Sequence, residues 1–326
     1  MPHSSSRRAL LQALGATFAA AAVPHVLAQA RTPLVLVVTF PPGGSTDITA
    51  RIVQPELQKR IGRPVVVENK PGAASQVGTE YVARAKPDGN TLLVCFDTHA
   101  INPIVKKHLP YDTFKDFAGV SLAVRFPLVI GANPSAPGKD LREFLAAAKE
   151  QPGKFSYAST GVGSLNHLVA EDLKRRSGVD LLHVPFSGGG PAVTAVLSKT
   201  ATLTMLSYAA LKGQIASGKI KALAVTGTQR LPDLPNVPTV AESGFPGFEA
   251  YSWIGIFAPA ATPPATVTKL SHDFQAALRT PEVSKALTDA GFEVMATDGP
   301  ALDQFAHEQY ERWSDFVKRT GLKVEE

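Results

Sequence analysis

The sequence predicts an α/β protein built on parallel sheets, and three observations carry that reading. Short β-branched runs alternate with longer helical patterns along most of the chain, the order expected of strand–helix–strand units. Those runs are apolar at successive rather than alternate positions, as strands covered on both faces are. A chain of 326 residues also suffices for about two domains of roughly 150 residues each.

The first strand is LVLVVTF (34–40), followed by the turn TFPPGGSTD and a helix from about Thr46 to Ile61. Pro55 removes one backbone bond within that helix and predicts a kink there. Further strands are expected at VVVEN (65–69), TLLVCF (91–96), PLVIGA (127–132), FSYAS (155–159), DLLHVPF (180–186) and ATLTML (201–206). KALAVT (221–226), AYSWIGIFAP (250–259) and FEVMA (292–296) complete the set.

Helical patterns fall at 140–150, 164–178 and 266–279. In the second of these Leu165, Leu168, Val169 and Leu173 make one apolar stripe, and Gly178 ends it. Lys174, Arg175 and Arg176 suit the negative end of that helix dipole. The stretch 228–248 is dense in proline and glycine but rich in capping residues, and reads as an ordered excursion near a domain junction. From about Pro300 to Thr320, Leu302, Phe305, Tyr310, Trp313, Phe316 and Val317 recur at helical spacing as a core-facing stripe.

The first 30 residues read as an export signal. MPHSSSRR is a basic start, ALLQALGATFAAAAV an apolar stretch of 15 residues, and Ala28-Gln29-Ala30 a small-x-small site. The apolar stretch is shorter than the roughly 20 residues that span a bilayer, which argues against a membrane anchor. Ser6-Arg7-Arg8 also resembles a twin-arginine signal. Removal of Arg7 and Arg8 lowers the formal charge from +5 to +3. With no basic run interleaved with aromatics, that excess does not suggest nucleic acid. Cys95 is the only cysteine, so no internal disulfide or cysteine-based metal cluster can form; its place in TLLVCF predicts burial.

Four turns share one pattern: strand, small or polar residues, helix. They are TFPPGGSTD, YASTGVGSLN (157–166), VPFSGGGP (184–191) and CFDTHAIN (95–102). In the third, Pro191 suits a first helical position. In an open parallel sheet such turns gather at the carboxyl ends of the strands, where ligands bind. Free N–H groups at a helix start hold a small anion without any cation, and glycine lets the backbone approach closely. None of the four turns contains lysine or arginine. Each turn alone is also readable as a well-capped strand-to-helix connection.

Enzyme signatures fail. There is no phosphate-binding loop, the glycines of TGVGSLNH complete neither a dinucleotide fingerprint nor a nucleophile elbow, and the histidines lack metal-ligand spacing. A set such as Ser164, His167 and Asp47 could act as a hydrolytic triad only if brought together in space. No metal or cofactor is expected.

FPPGGSTDITAR, RPVVVENKPGAAS (63–75), KPDGNTLL (86–93), THAINP (98–103), LPYDTFKDF (109–117), SYASTGVGS (156–164), HVPFSGG (183–189), KIKALAVT (219–226) and LPNVPTVAESGFPGFE (234–249) together resemble the Bug family. These are the extracytoplasmic solute receptors of tripartite tricarboxylate transporters. The resemblance covers most of the chain after residue 30. It implies a type II periplasmic binding-protein fold, two α/β domains around a central cleft joined by a two-crossing hinge. Residues 31–131 and 256–326 would form the first domain and 132–255 the second. It further implies a periplasmic monomer that is not an enzyme, whose ligand is a small dicarboxylic, tricarboxylic, amino or aromatic acid. Its partners would be the transporter's membrane components. An exported hydrolase or isomerase on the same scaffold, or an orphan ligand sensor for a signalling partner, are the alternatives.

In the family the ligand carboxylate is held by the first and fifth strand-to-helix turns, here Phe40–Asp47 and Ser159–Ser164. Position by position, the resemblance assigns Ser45 and the Gly43 and Gly44 backbone to the carboxylate or its water, and Asp47 to capping the helix and orienting that water. Thr160, Gly161, Gly163 and Ser164 form the opposing cradle. Thr98 and His99 line the third turn, with His99 either a cleft wall or a ligand contact, and Phe40 and Phe186 are apolar walls or core. Three departures from the family pattern stand at LSKTAT (197–202), at Leu206-Ser207-Tyr208 and at Asp97. They point to Asp97, Ser207 and Tyr208 as the far end of the pocket.

Overall fold

The structure, a computed structural model, describes residues 32–323; the expected export signal at 1–30 lies outside the described residues. The apolar run Leu34–Val38 forms β1, which pairs in parallel with β2 (Val65–Asn69) and β3 (Thr91–Phe96). A second parallel set joins β5 (Phe155–Ser159) to β6 (Leu181–Pro185) and β7 (Leu203–Ser207). Between the two sets run β4 (Phe117–Ala132) and β9 (Tyr251–Pro259), both antiparallel to their neighbours. The strand order is β2-β1-β3-β9-β4-β7-β5-β6, and β8 (Lys221–Val225) and β10 (Glu293–Val294) pair with β4 off this path. The parallel sets match the expected parallel sheets, and the antiparallel β4 and β9 between them make the whole sheet mixed.

The strand β4 is the largest departure from the sequence reading, which placed only residues 127–132 in a strand. It has 16 residues and continues back to Phe117. Register shifts at Gly119/Ser121 and Leu122/Val124 interrupt its pairing with β9, so neither alternation nor an unbroken apolar run betrays its first half. Gly119 is needed there, because a Cβ would come 2.5 Å from the Gly299 carbonyl. Conversely β10 spans two residues instead of five; Ala296, at its expected end, has a φ of 46°.

Between Pro127 and Leu128 the partners of β4 change from β9 to β7 and β8. Thr226 fastens this crossing to the returning chain. Its hydroxyl accepts from the Leu128 N–H at 2.8 Å and donates to the Ala250 carbonyl at 2.6 Å, and the residue is fully buried. The proline-rich stretch 228–248 is ordered as expected. Thr239 and Glu242 bond each other's N–H groups through their side chains, and Arg230 holds the Glu242 carboxylate.

Helix α1 (Ser45–Ile61) runs continuously through Pro55 and stops at Gly62, whose φ is 65°. It is followed by α2 (Gln76–Ala83), α3 (Thr98–Val105), α4 (Leu141–Lys149), α5 (Leu165–Ser177), α6 (Gly189–Leu197) and α7 (Tyr208–Ala216). The chain closes with α8 (Pro264–Leu278), α9 (Pro281–Asp289) and α10 (Gly299–Thr320). Helix α6 starts two residues ahead of Pro191, so that proline is not its first residue. Along α10, Leu302, Trp313 and Phe316 are buried and Phe305, Tyr310 and Val317 pack partly against the core. Cys95 is buried as expected.

Candidate ligand-binding site

The turn after β1 is organised by Asp47. Its carboxylate accepts from the Gly43 N–H at 3.0 Å, from Arg51 Nε at 2.9 and 3.0 Å, and from Asn69 Nδ2 at 3.0 Å. Asn69 also ties down the Phe40 carbonyl at 3.0 Å. Burial pushes the Asp47 carboxyl up, but the bonds from Arg51, Gly43 and Asn69 outweigh it and hold it below the ordinary carboxylate range. Asp47 is thus committed to the turn itself and does not line the cavity described below. Gly43 adopts a φ of 83°, a conformation that favours glycine. Its N–H is occupied by Asp47, which removes it from the donors expected for a ligand. The cap of α1 is Gly44, in extended conformation and without a side-chain bond, rather than a hydroxyl. The first helical N–H groups, from Ser45 onward, therefore have no intrahelical acceptor.

The turn after β5 is built with equal economy. The Ser159 hydroxyl lies 2.6 Å from His183 Nε2 and bonds the Gly161 N–H and carbonyl at 3.2 and 3.1 Å. Ser164 caps α5, accepting from the His167 N–H at 3.4 Å while donating to the Gly161 carbonyl at 2.7 Å. The Gly163 N–H donates to His167 Nδ1 at 3.0 Å. A Cβ on Gly163 would meet Val105 of α3 at 2.8 Å, so this glycine permits contact between the two sides of the cavity. Thr160 donates to Asn166 at 2.6 Å, and Asn166 donates in turn to the Met205 carbonyl.

Behind this turn lies a stack that sequence reasoning missed. The His167 and His183 rings are 4.0 Å apart at 9°, and Tyr157 stacks on His183 at 4.9 Å. Tyr157 donates to Glu171 at 2.7 Å, and Lys174 closes the set on the same oxygen at 2.8 Å. Burial lowers the pKa of both histidines, His183 to about 4. As neutral rings they can accept from the turn, as His167 does from Gly163.

These turns wall a cavity of about 580 Å³. Among the residues placed in the site by sequence, Phe40, Gly43, Gly44, Ser45, Asp97, Thr98, Thr160, Ser164 and Ser207 line it. Ser159, Gly161 and Gly163 shape the turn from behind. His99 is in the core, 1% exposed, with its ring 5.1 Å from Phe117 and 4.2 Å from Phe257. Burial lowers its pKa to about 3, and it is neither cleft wall nor in reach of the cavity. Phe186 packs with the cluster around Ala192 and Val196. Tyr208 turns toward the end of α9, where a Cβ on Gly291 would come 3.0 Å from its ring. The cavity also takes in Ser187 to Pro191, Asn166, Ser252 and the apolar side chains of Phe96, Phe126, Leu128 and Leu206. The Ser187–Pro191 turn was recognisable by its glycines; Ser252 and Phe126 lie inside strands and left no signal.

Phe40, Phe96 and Phe126 form an edge-to-face ladder, with centroids 5.0 and 6.2 Å apart. No lysine, arginine or histidine lines the cavity, and Asp97 is its one ionisable side chain among the described residues. Ser164, His167 and Asp47 do not form a triad: His167 Nδ1 is spent on a backbone N–H and Asp47 on Arg51 and the first turn.

A cavity enclosed by strand-to-helix turns, on two half-sheets that share a long strand, defines a ligand-capturing protein of the periplasmic binding-protein fold. The chain belongs to the tripartite tricarboxylate transporter family receptors, the TctC family, whose family model matches residues 49–322. The structure of the periplasmic binding protein BugD is 35% identical and superposes with a TM-score of 0.82 over 90% of this chain and 99% of that one. MatC from Rhodopseudomonas palustris, solved with bound malate, is 35% identical with a TM-score of 0.80, covering 88% and 99%. Rpa4515 from R. palustris, solved with adipate, is 30% identical with a TM-score of 0.86, covering 91% and 99%. Membership makes this chain a solute-binding receptor and not an enzyme, which removes the hydrolase or isomerase alternative.

Proposed function

We propose that the protein is exported to the periplasm, captures a small carboxylate there as a monomer, and hands it to the membrane components of a tripartite tricarboxylate transporter. The observation that carries the ligand class is the polar rim of the cavity. Helix-start N–H groups at Ser45 and after Ser164, with the hydroxyls of Ser45 and Thr98, border the cavity where no cation lines it, while Thr160 and Ser164 shape the rim with their protons held by Asn166 and the Gly161 carbonyl. Such a rim accepts one carboxylate through oriented N–H groups and the helix dipole. The malate and adipate bound by two relatives support the same class. Capture would proceed by closure of residues 31–131 and 256–326 on residues 132–255, turning about the crossing that Thr226 fastens.

A thermal-shift screen against a carboxylic-acid library tests this reading. A ligand present at 100 times its Kd adds about 2.7 kcal/mol to stability. Melting raised by carboxylates and untouched by neutral sugars is the expected result, with a smaller radius of gyration in solution scattering when the ligand is bound. Response to sugars alone would overturn the proposal. Loss of uptake of that acid when the gene is deleted would separate a transport receptor from a sensor.

A further inference from the structure

Asp97 is an unusual group to find in a site for anions. It occupies the N-cap position of α3, yet its carboxylate does not cap that helix; it accepts instead from the hydroxyl of Ser252. It is 7% exposed and lines the cavity beside Ser252 with no cation among the lining residues. Burial pushes its pKa up to about 7, against the pull of hydrogen bonds from Ser252 and from the N–H groups of Asp97 and Thr98.

The strand order places this pair relative to the anion rim. The Gly44–Ser45 turn follows β1, Asp97 follows β3, Ser252 lies on β9 and Phe126 on β4, in the sheet order β1-β3-β9-β4. Neighbouring strands are about 4.8 Å apart, so Asp97 stands about one spacing and Ser252 about two spacings from the first turn. The ladder Phe40–Phe96–Phe126 runs along the same path. A ligand whose carboxylate meets the helix-start N–H groups would lay an apolar body on these rings and bring its other end to Asp97.

We infer that Asp97, steadied by Ser252, determines specificity at that end: it selects a monocarboxylate with an apolar body and a distal hydrogen-bond donor, and rejects a second carboxylate. The inference rests on the carboxylate-receptor reading and deepens it. A buried carboxylate without a counter-charge gains from a hydroxyl or ammonium donor, whereas a second ligand carboxylate would face like charge in a poorly screened cavity.

Two matched series test it by calorimetry at pH 8. One is hexanoate, 6-hydroxyhexanoate, 6-aminohexanoate and adipate. The other is 4-methylbenzoate, its 4-hydroxymethyl and 4-aminomethyl analogues, and benzene-1,4-dicarboxylate. In the wild type a donor-bearing member should bind about 10- to 100-fold more tightly than the unsubstituted one, with the dicarboxylate weakest. Asp97→Asn should erase that preference and improve the dicarboxylate about tenfold, a gain that misfolding cannot produce. A dicarboxylate that binds the wild type as tightly as the donor-bearing acids, or an affinity order unchanged in Asp97→Asn, would overturn the assignment of Asp97 alone. If no carboxylate of these series or of the wider library binds, the receptor's ligand class fails as well.

Discussion

The hydroxyls of Ser45 and Ser207 lie 3.0 Å apart although 162 residues separate them. One stands in the first turn of α1 after β1, the other at the N-cap of α7 after β7, where it also accepts from the Ala210 N–H at 3.4 Å. The bond therefore ties the two parallel sets of strands together beside the cavity. Gly163 against Val105 and Lys212 Nζ on the Asp289 carbonyl at 3.3 Å add contacts of the same kind.

Removal of this bond should loosen the contact between the two parallel sets of strands beside the cavity. A neutral hydrogen bond contributes about 0.5–1.5 kcal/mol net. Ser207→Ala is thus expected to raise the ligand off-rate and weaken Kd by roughly 3- to 10-fold, and, because Ser207 also caps α7, to lower ligand-free stability by about 1 kcal/mol. Stopped-flow dissociation and calorimetry check it; an off-rate equal to the wild type would show that the bond does not hold the closed form.

The two glycines of the first turn should respond differently. Gly44 has ordinary backbone angles and a Cβ there meets only the Pro41 carbonyl at 3.5 Å. Gly44→Val is expected to leave melting within about 1 kcal/mol of wild type while abolishing carboxylate binding by filling the rim. Gly43→Ala meets no neighbour but must hold a φ of 83°, which costs roughly 1–2 kcal/mol. Denaturant titration alongside binding separates the two effects.

Thr226→Val keeps the shape of the crossing but leaves the Leu128 N–H and the Ala250 carbonyl without their hydroxyl partner. Each group unsatisfied in a buried place costs about 1–3 kcal/mol, so a loss of roughly 2–4 kcal/mol in chemical denaturation is expected. A neutral result would show that the crossing does not depend on this side chain.

Acid should expose the buried histidine in the core. His99 titrates near pH 3 when folded and ordinarily near 6.5, so its contribution to stability is complete above 6.5 and is lost as pH falls toward 3. Asp97 acts in the opposite sense: its folded value of about 7 exceeds the ordinary 3.8, and the stability it lends at low pH is lost as pH rises through 7. His99→Leu isolates the first effect. From pH 7 to 4.5 the wild type should lose about 2–3 kcal/mol more than the variant, measured by guanidinium titration at each pH.

Much of this architecture can be read along the chain because it depends on near neighbours. Apolar runs locate eight strands closely, and Gly62 and Gly178 end helices with the left-handed φ that glycine favours. The turns that wall the cavity are recognisable from their glycines and hydroxyls, and so is their lack of cations. The family, and with it the receptor class, is legible in motifs spread over most of the sequence.

Tertiary structure decided what each side chain in those turns faces. Asp47 and Ser45 are two residues apart, yet Asn69 and Arg51 turn the first into a brace while Ser207 draws the second to the cavity wall. Thr98 and His99 are adjacent, but one lines the cavity and the other packs on Phe257. The length of β4, the Thr226 clamp and the pairing of Asp97 with Ser252 all join residues far apart in sequence. Local propensity determines where strands and helices begin and end; which buried polar group finds which partner depends on long-range packing, because only the folded chain supplies the second half of each bond.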